Sequence, residues 1–216
     1  MTASIRPMAT LRHHSSTPRR ASLTFESGFS MIEVLVVVAL TGVISAIAVP
    51  MVANALANFR VTGDIRSVSN ATALAKMRAA SNFSRVRLYV DLSSNSHHLE
   101  AWDKTANHWT TVGGSTYLST NVTFGFGVVS TPPLNTQDVI GQSMLCTNDA
   151  GTGIANTACI MFNSRGVPID NSGAQIAVDA IYLTDRTAVY AVTVSATGML
   201  RLWRTQPVST PTWLQQ

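Results

Sequence analysis

The side chains best suited to bind a metal ion lie close together in the middle of the chain: His97, His98, Glu100, Asp103 and His108. On an extended strand, His98 and Glu100 share one face because successive side chains alternate. With His108 opposite them across a turn, they would supply the two imidazoles and one carboxylate of a metal site. Solvated side chains of a short hairpin are the simpler interpretation, so we expect no bound metal and no cofactor.

Residue patterns typical of enzymes are absent from the sequence. There is no Gly-x-Ser-x-Gly motif, no phosphate-binding Gly-Lys loop and no His-Glu-x-x-His motif. Gly125 and Gly127 lie in a predicted strand rather than before a helix, which favours a packing role. Residues 149–153 contain a single carboxylate, too few for a good calcium loop. We therefore expect that the protein is not an enzyme.

A basic and aromatic stretch near the C-terminus contains Arg201, Trp203 and Arg204. Arginine binds phosphate and tryptophan stacks on bases, so this stretch is a candidate DNA contact. Alternation places Arg201 and Trp203 on one face of a strand and Arg204 on the other. Charge on an edge strand also prevents aggregation. We favour this structural role and keep DNA as an alternative partner.

A long apolar segment near the N-terminus would position the residues on either side of it. No charged residue occurs from Val34 to Val49. A helix of that length spans roughly 24 Å at about 1.5 Å per residue. With its flanks it approaches the roughly 20 residues that cross a bilayer. Glu33 stands at the front edge of this segment, where a carboxylate is costly unless it is paired.

The net charge of +4 is concentrated before this segment. Residues 1–28 contain four of the 15 basic residues and one of the 11 acidic residues, which leaves +1 for the remainder. Arginines ahead of a membrane span predict a cytoplasmic N-terminus, with the rest of the chain outside the inner membrane. The overall basicity is therefore no argument for nucleic-acid binding.

Four residues around the apolar segment carry a resemblance: Gly28, Phe29, Glu33 and Pro50. They resemble the class III leader and N-terminal helix of type IV pilins and type II secretion pseudopilins. In that family a prepilin peptidase cuts after the glycine, and the new N-terminal phenylalanine is methylated. A glutamate at mature position five pairs with the N-terminal amine of a neighbouring subunit in a helical filament, and a proline near position 22 kinks the helix.

Counted from Phe29, Glu33 is the fifth residue and Pro50 the twenty-second. The resemblance implies cleavage between Gly28 and Phe29, N-methylation of Phe29, and filament assembly through Phe29, Glu33 and Pro50. Residues 1–28 would be the removed leader, rich in arginine, serine and threonine and disordered.

The C-terminal half resembles the GspH/FimT branch of the same family. The resemblance rests on residues 160–168, Ile-Met-Phe-Asn-Ser-Arg-Gly-Val-Pro, and on residues 192–198, Val-Thr-Val-Ser-Ala-Thr-Gly. In that branch an arginine usually follows the hairpin glycine directly. Here Met199 and Leu200 intervene before Arg201, a departure that weakens the case for DNA binding.

An ordinary secretory signal is a second alternative. Ala53-Asn54-Ala55 and Ala55-Leu56-Ala57 both look like small-residue cleavage sites after an apolar core. Cleavage there would release a soluble β-protein that begins at Leu56 or Asn58. The continuing helical pattern speaks against this alternative.

The two cysteines, Cys146 and Cys159, flank a polar loop rich in glycine, asparagine and threonine. A domain outside the inner membrane lies in an oxidising compartment. A bridge would close a loop of about 14 residues and add around 3 kcal/mol by the chain-entropy estimate. We predict a disulfide; two separate buried cysteines are the alternative.

Hydrophobic periodicity predicts the remaining elements. A helical stripe follows the apolar segment, with spacings of three and four, at Val61, Ile65, Val68, Thr72, Ala75 and Ala79. Asp64 lies off this stripe. From Arg85 the period becomes two, and Val86, Leu88 and Val90 alternate with Arg85, Arg87 and Tyr89, which predicts a buried and a solvated face. Further predicted strands cover residues 97–102, 108–112, 122–129, 158–162, 176–183, 188–195 and 199–204.

These patterns predict an α+β fold: a long N-terminal helix, transmembrane in its first half and amphipathic in its second, packed on an antiparallel β-sheet domain. The expected organisation is a leader at 1–28, a transmembrane and filament-core helix at 29–50, an amphipathic continuation at 51–82, a periplasmic β-domain at 83–206 and an irregular tail at 207–216. The expected function is that of a minor pilin or pseudopilin of a type IV pilus or type II secretion pseudopilus, in the inner membrane and then in the filament.

Overall fold

The computed structural model describes residues 28–216. The leader predicted at 1–28 therefore lies, apart from Gly28, outside the described residues. Within these residues, one helix is followed by ten strands. Their bounds are α1 Met31–Ser81, β1 Val86–Asp91, β2 Ser96–Asp103, β3 His108–Tyr117, β4 Thr123–Phe124, β5 Thr157–Phe162, β6 Pro168–Ile169, β7 Val178–Thr184, β8 Val189–Ser195, β9 Leu200–Thr205 and β10 Leu214–Gln215.

The strands form two antiparallel sheets of five strands each. Sheet A has the order β3-β2-β1-β5-β6, and sheet B has the order β10-β9-β8-β7-β4. In sheet A, Leu88 of β1 pairs with Leu99 of β2 on one side and with Ile160 of β5 on the other. The predicted α+β class, a long N-terminal helix packed on antiparallel sheet, is confirmed.

The chain divides into two compact units between Ala48 and Val49. In the second unit, the helical stripe is buried between both sheets and forms the main core. The stripe is the predicted one with Asp64 added. The prediction that Asp64 lies off the stripe is wrong, because its carboxylate accepts hydrogen bonds from the backbone N–H (2.9 Å) and the hydroxyl (3.1 Å) of Ser119.

A second, smaller core lies on the opposite face of sheet B. Its centre is formed by Tyr182, Ala191 and Trp203, and the segment after β4 covers it with Phe126 and Val129. This segment was predicted to be a strand over 122–129, whereas β4 ends at Phe124. Gly127 adopts a φ of 58°, a conformation that leaves the extended region, so the chain turns over the sheet instead of continuing along it.

The ends of several elements also differ from the sequence patterns. Strand β3 extends to Tyr117, five residues beyond its predicted end. In the tail expected to be irregular, Leu214 and Gln215 pair with Arg204 and Trp203 of β9. A strand of two residues is too short to show a hydrophobic period, so its pairing depends on the neighbouring strand rather than on its own sequence.

The predicted disulfide is confirmed. Cys146 and Cys159 are bonded, with their Cα atoms 5.0 Å apart. Both side chains are fully buried. The bridge ties the loop that precedes β5 to β5 itself, and so fixes that loop against the outer face of sheet A.

Candidate functional site

Two of the predicted assembly residues lie at the start of α1. Glu33 lies in the first turn, and Phe29, just before the helix, is 82% exposed. The spacing of Ser30 and Glu33 fits a capping box, in which a serine caps the helix and a glutamate three residues later reaches back. The N–H of Val34 donates to the Ser30 carbonyl at 3.2 Å. This spacing alone makes helix capping a second role of Glu33 to test, beside the one predicted between subunits.

Glu33 has no partner of opposite charge within residues 28–216, where the ion pairs are Arg87–Glu100 and His98–Glu100. Large apolar side chains follow it along the helix, and from Val34 to Phe59 all of them are at least half exposed. An 18-residue window of α1 has a mean hydropathy of 2.6 and is wholly unburied. By length and composition, this helix can cross a membrane.

Pro50 lies inside α1. Since proline has no N–H, the carbonyl of Ala46 receives no helical hydrogen bond from this position. In the second unit, the residues that follow Pro50 are also exposed, including Met51, Leu56 and Phe59. This part of α1 offers an apolar surface up to the start of the buried stripe at Val61.

The histidines singled out in the sequence lie on different faces of sheet A. His97 is buried towards α1, with Nε2 3.4 Å from Ser67 Oγ, and its burial, with a smaller effect of His98, lowers its pKa to about 4. His98 lies on the outer face, 3.3 Å from Glu100 Oε1. Asp103 is occupied at a turn, where it accepts hydrogen bonds from two backbone N–H groups. In the described part of the chain, no three His, Cys, Asp or Glu side chains are grouped to hold a metal ion.

The outer face of sheet A contains a buried ion pair that the sequence did not predict. Arg87 is 1% exposed, and its guanidinium lies 2.6 Å from Glu100 Oε2. It also donates to the Thr147 carbonyl at 2.8 Å and lies 3.9 Å from the ring centroid of Trp109. Burial lowers the pKa of Arg87, and Glu100 opposes that shift.

Alternation along β1 had assigned Arg87 to a solvated face, which is wrong for this residue. The loop closed by the disulfide covers it, and Asp149 of that loop accepts a hydrogen bond from the N–H of Trp109 at 2.8 Å. The cysteine pair marked this loop in the sequence, but no local pattern indicated which strand it would cover.

The residues of the candidate DNA contact do not form one surface. Arg201 and Arg204 are exposed and point to opposite faces of β9, as the alternation predicted. Trp203 is 8% exposed, and its indole N–H donates to Thr193 Oγ1 at 2.9 Å. The guanidinium of Arg204 lies 5.7 Å from the ring centroid of Tyr190. Stacking of a base on Trp203 would require that ring to leave the second core.

The N-terminal segment matches a known family model. Residues 24–49 match the family model described as the prokaryotic N-terminal methylation motif. The match includes Gly28, Phe29 and Glu33, so the motif predicted from those residues is confirmed. No curated protein sequence matches the chain significantly.

Two solved structures are similar to the chain, both of the minor pseudopilin EpsH from the type 2 secretion system of Vibrio cholerae. The first is 12% identical, with a TM-score of 0.41, and the alignment covers 66% of this chain and 94% of that one. The second is also 12% identical, with a TM-score of 0.39, and covers 71% of this chain and 94% of that one.

Proposed function

We propose that this protein is a minor pilin or pseudopilin, a structural subunit of a type IV pilus or type II secretion pseudopilus. The observation that carries the proposal is the match of residues 24–49 to the N-terminal methylation motif. The helix that begins at Met31, two residues after the motif's phenylalanine, supports the proposal, and so does the exposed apolar span within it.

In this proposal the chain inserts with its N-terminus in the cytoplasm and its β-domain in the periplasm. The prepilin peptidase cuts after Gly28, and Phe29 becomes the methylated N-terminal residue. Other subunits then pack against the exposed side chains of α1 in a helical filament. Burial of those side chains among subunits, away from lipid and water, supplies the contact area of the assembly.

Glu33 provides the charge that aligns each subunit. Among residues 28–216 it has no ion-pair partner, and a carboxylate at the edge of an apolar span is costly until it is paired. The free amine of Phe29 in a neighbouring subunit is the partner we propose. Pro50 kinks the helix, which the loss of a hydrogen bond to Ala46 allows.

The test is the N-terminal residue and intact mass of the protein recovered from bacterial membranes. We expect a chain that starts at Phe29, with a mass increase of one methyl group. A chain that starts at Leu56 or Asn58 would overturn the proposal and establish cleavage by an ordinary signal peptidase. A chain that retains residues 1–28 would also overturn it.

A further inference from the structure

We infer that the outer face of sheet A carries a binding cleft for a basic side chain, lysine or arginine, of a partner polypeptide. The cleft has a volume of about 590 Å³, and its lining includes Tyr89, Asp91, His98, Trp109, Tyr117 and Asp149. This volume falls in the range of sites that bind small molecules or single side chains. The inference concerns the second unit only and does not depend on how the N-terminus is processed.

The cleft has a fixed wall. Its floor is formed by β1, β2 and β3, and its wall by the loop after Cys146. Thr147 of that loop accepts a hydrogen bond from Arg87, and Asp149 accepts one from the N–H of Trp109. The disulfide and these two bonds hold the loop in place before any ligand arrives, which lowers the entropic cost of binding.

The charges of the cleft are unequally accessible. Its one arginine, Arg87, is 1% exposed and is paired with Glu100. The carboxylate of Asp149 is exposed and that of Asp91 is half-buried. Hydrogen bonds from Ser94 and Ser93 outweigh burial and lower the pKa of Asp91, so it is ionised at neutral pH. A ligand in the cleft therefore meets two carboxylates and no free cation among the lining residues, and charge complementarity selects a cation.

Aromatic rings in the cleft favour the same ligand. The ring of Tyr89 stacks on His98 with centroids 4.7 Å apart. Trp109 already binds one cation, since the guanidinium of Arg87 lies 3.9 Å from its ring centroid. The ring of Tyr117 is 68% exposed at the rim and is free to contact a second cation. Aromatic faces attract ammonium and guanidinium groups beyond what carboxylates alone provide.

The experiment is a titration of the full-length protein in an uncharged detergent with an amidated, acetylated Arg-Arg-Arg peptide. Binding is measured by calorimetry and by tryptophan fluorescence, to which Trp109 in the floor contributes. We expect saturable binding at low salt that weakens at high salt, because exposed charges are screened. A Glu-Glu-Glu peptide and the neutral saccharide chitotriose are the comparison probes, and neither should bind saturably.

Two substitutions remove charge while leaving the local hydrogen bonds possible. In Asp91→Asn and Asp149→Asn, the amide oxygen can still accept from the backbone N–H groups of Ser93, Ser94 and Trp109. Each should weaken binding of the arginine peptide about three- to fivefold, the factor expected for an exposed ion pair. Asp138→Asn, an equal change of charge at an exposed position outside the cleft, should leave binding unchanged.

Tyr117→Leu serves as an independent variant, since its exposed ring can be removed without disturbing the core. It should also weaken binding of the arginine peptide by a few fold. The inference is overturned if the wild-type protein shows no saturable binding at low salt, if both asparagine variants bind as tightly as wild type, or if chitotriose binds in preference to the peptide.

Discussion

Lys76 Nζ donates a hydrogen bond of 2.8 Å to the carbonyl oxygen of Gly198. A Cβ atom on Gly198 would lie 2.6 Å from the carbonyl oxygen of Gly166 and 2.9 Å from Lys76 Nζ. The turn at residues 163–166 and the hairpin at residues 195–198, which are far apart in the sequence, therefore meet at one lysine of α1. These are the two turns that the sequence showed to resemble the GspH/FimT branch.

Gly198→Ala is the first test of this junction. Gly198 has a φ of 73°, which an L-residue rarely adopts, and the added methyl group would contact backbone that cannot move freely. We expect a loss of about 1 to 3 kcal/mol, and hence a Tm lower by several degrees. Thermal unfolding followed by circular dichroism measures it. Gly114→Ala is the control, because no atom lies within 4 Å of its added Cβ; equal effects at the two positions would contradict the junction.

Asp179 should give the protein an unusual pH dependence. It is 5% exposed, and burial raises the pKa of its carboxyl to about 7, against weaker opposing hydrogen bonds from Ser143 and Ala180. Ser143 Oγ lies 2.5 Å from Asp179 Oδ2 and also bonds to the Cys159 carbonyl. One hydroxyl proton cannot serve both acceptors at once. Ser143 donates to the ionised Asp179 carboxylate, whereas a protonated Asp179 can itself donate to Ser143 and leave the serine proton for the Cys159 carbonyl.

The sign of the effect follows from the raised pKa. The unfolded chain releases the Asp179 proton near pH 4 and the folded protein near pH 7. The contribution of this group to stability is fully present below pH 4, falls as the pH rises to about 7, and is then constant, for a total on the order of 4 kcal/mol.

Asp179→Asn isolates that contribution, since an amide can donate to Ser143 at every pH. Relative to wild type, this variant should gain stability between pH 4 and pH 7. Denaturant unfolding at several pH values measures the difference between the two proteins. A difference that does not change with pH would show that Asp179 is ionised in the folded state throughout.

Removal of the disulfide should lower stability by about 3 kcal/mol. The double variant Cys146→Ala with Cys159→Ala frees a loop whose ends are separated by 13 residues, and the chain-entropy estimate gives that magnitude. Urea unfolding with and without reductant measures it. Wild type should respond to reductant and the double variant should not. If reductant also lowered the stability of the double variant, its effect on wild type could not be attributed to this disulfide.

The pair of Arg87 and Glu100 should behave as a coupled buried ion pair. Glu100→Ala would leave a buried guanidinium without its counter-ion, at a cost of about 3 to 5 kcal/mol. Arg87→Met should also destabilise the protein, because the Glu100 carboxylate would lose its arginine partner. In a double-mutant cycle the two changes together should cost less than the sum of the single changes. Strict additivity would mean that the 2.6 Å contact contributes nothing in solution.

Two roles are proposed for Glu33, an ion pair between subunits and a helix cap, and two variants separate them. Glu33→Ala removes both the charge and the side chain that would cap the helix, whereas Glu33→Gln removes only the charge and keeps a side chain suited to a capping box. If the charge pairs with the amine of Phe29 in a neighbouring subunit, both variants should insert into membranes and neither should enter filaments. The measurement is the fraction of subunit in sheared filaments relative to membranes. Normal incorporation of Glu33→Gln into filaments would rule out the pairing with Phe29 and leave Glu33 only a role as a helix cap.

Local spacing in the sequence was sufficient to predict the N-terminal motif, the class of fold and the pairing of the two cysteines. The positions of Gly28, Phe29 and Glu33 are fixed relative to one another by a single helix start, so they can be read without any tertiary contact. The stripe from Val61 to Ala79 follows from the helical period in the same way.

Only the tertiary structure decided which outer faces are covered. Strand periodicity places Arg87 and Tyr89 on one face of β1, and Arg201 and Trp203 on one face of β9. Because the residues of both faces recur with the same period of two, periodicity does not show whether the outer face is covered. The loop after Cys146 buries Arg87 and forms the cleft, and the segment after β4 buries Trp203. Such coverage depends on contacts between residues distant in sequence, whose energy is set by packing and hydrogen bonding across the fold. No local pattern contains that information.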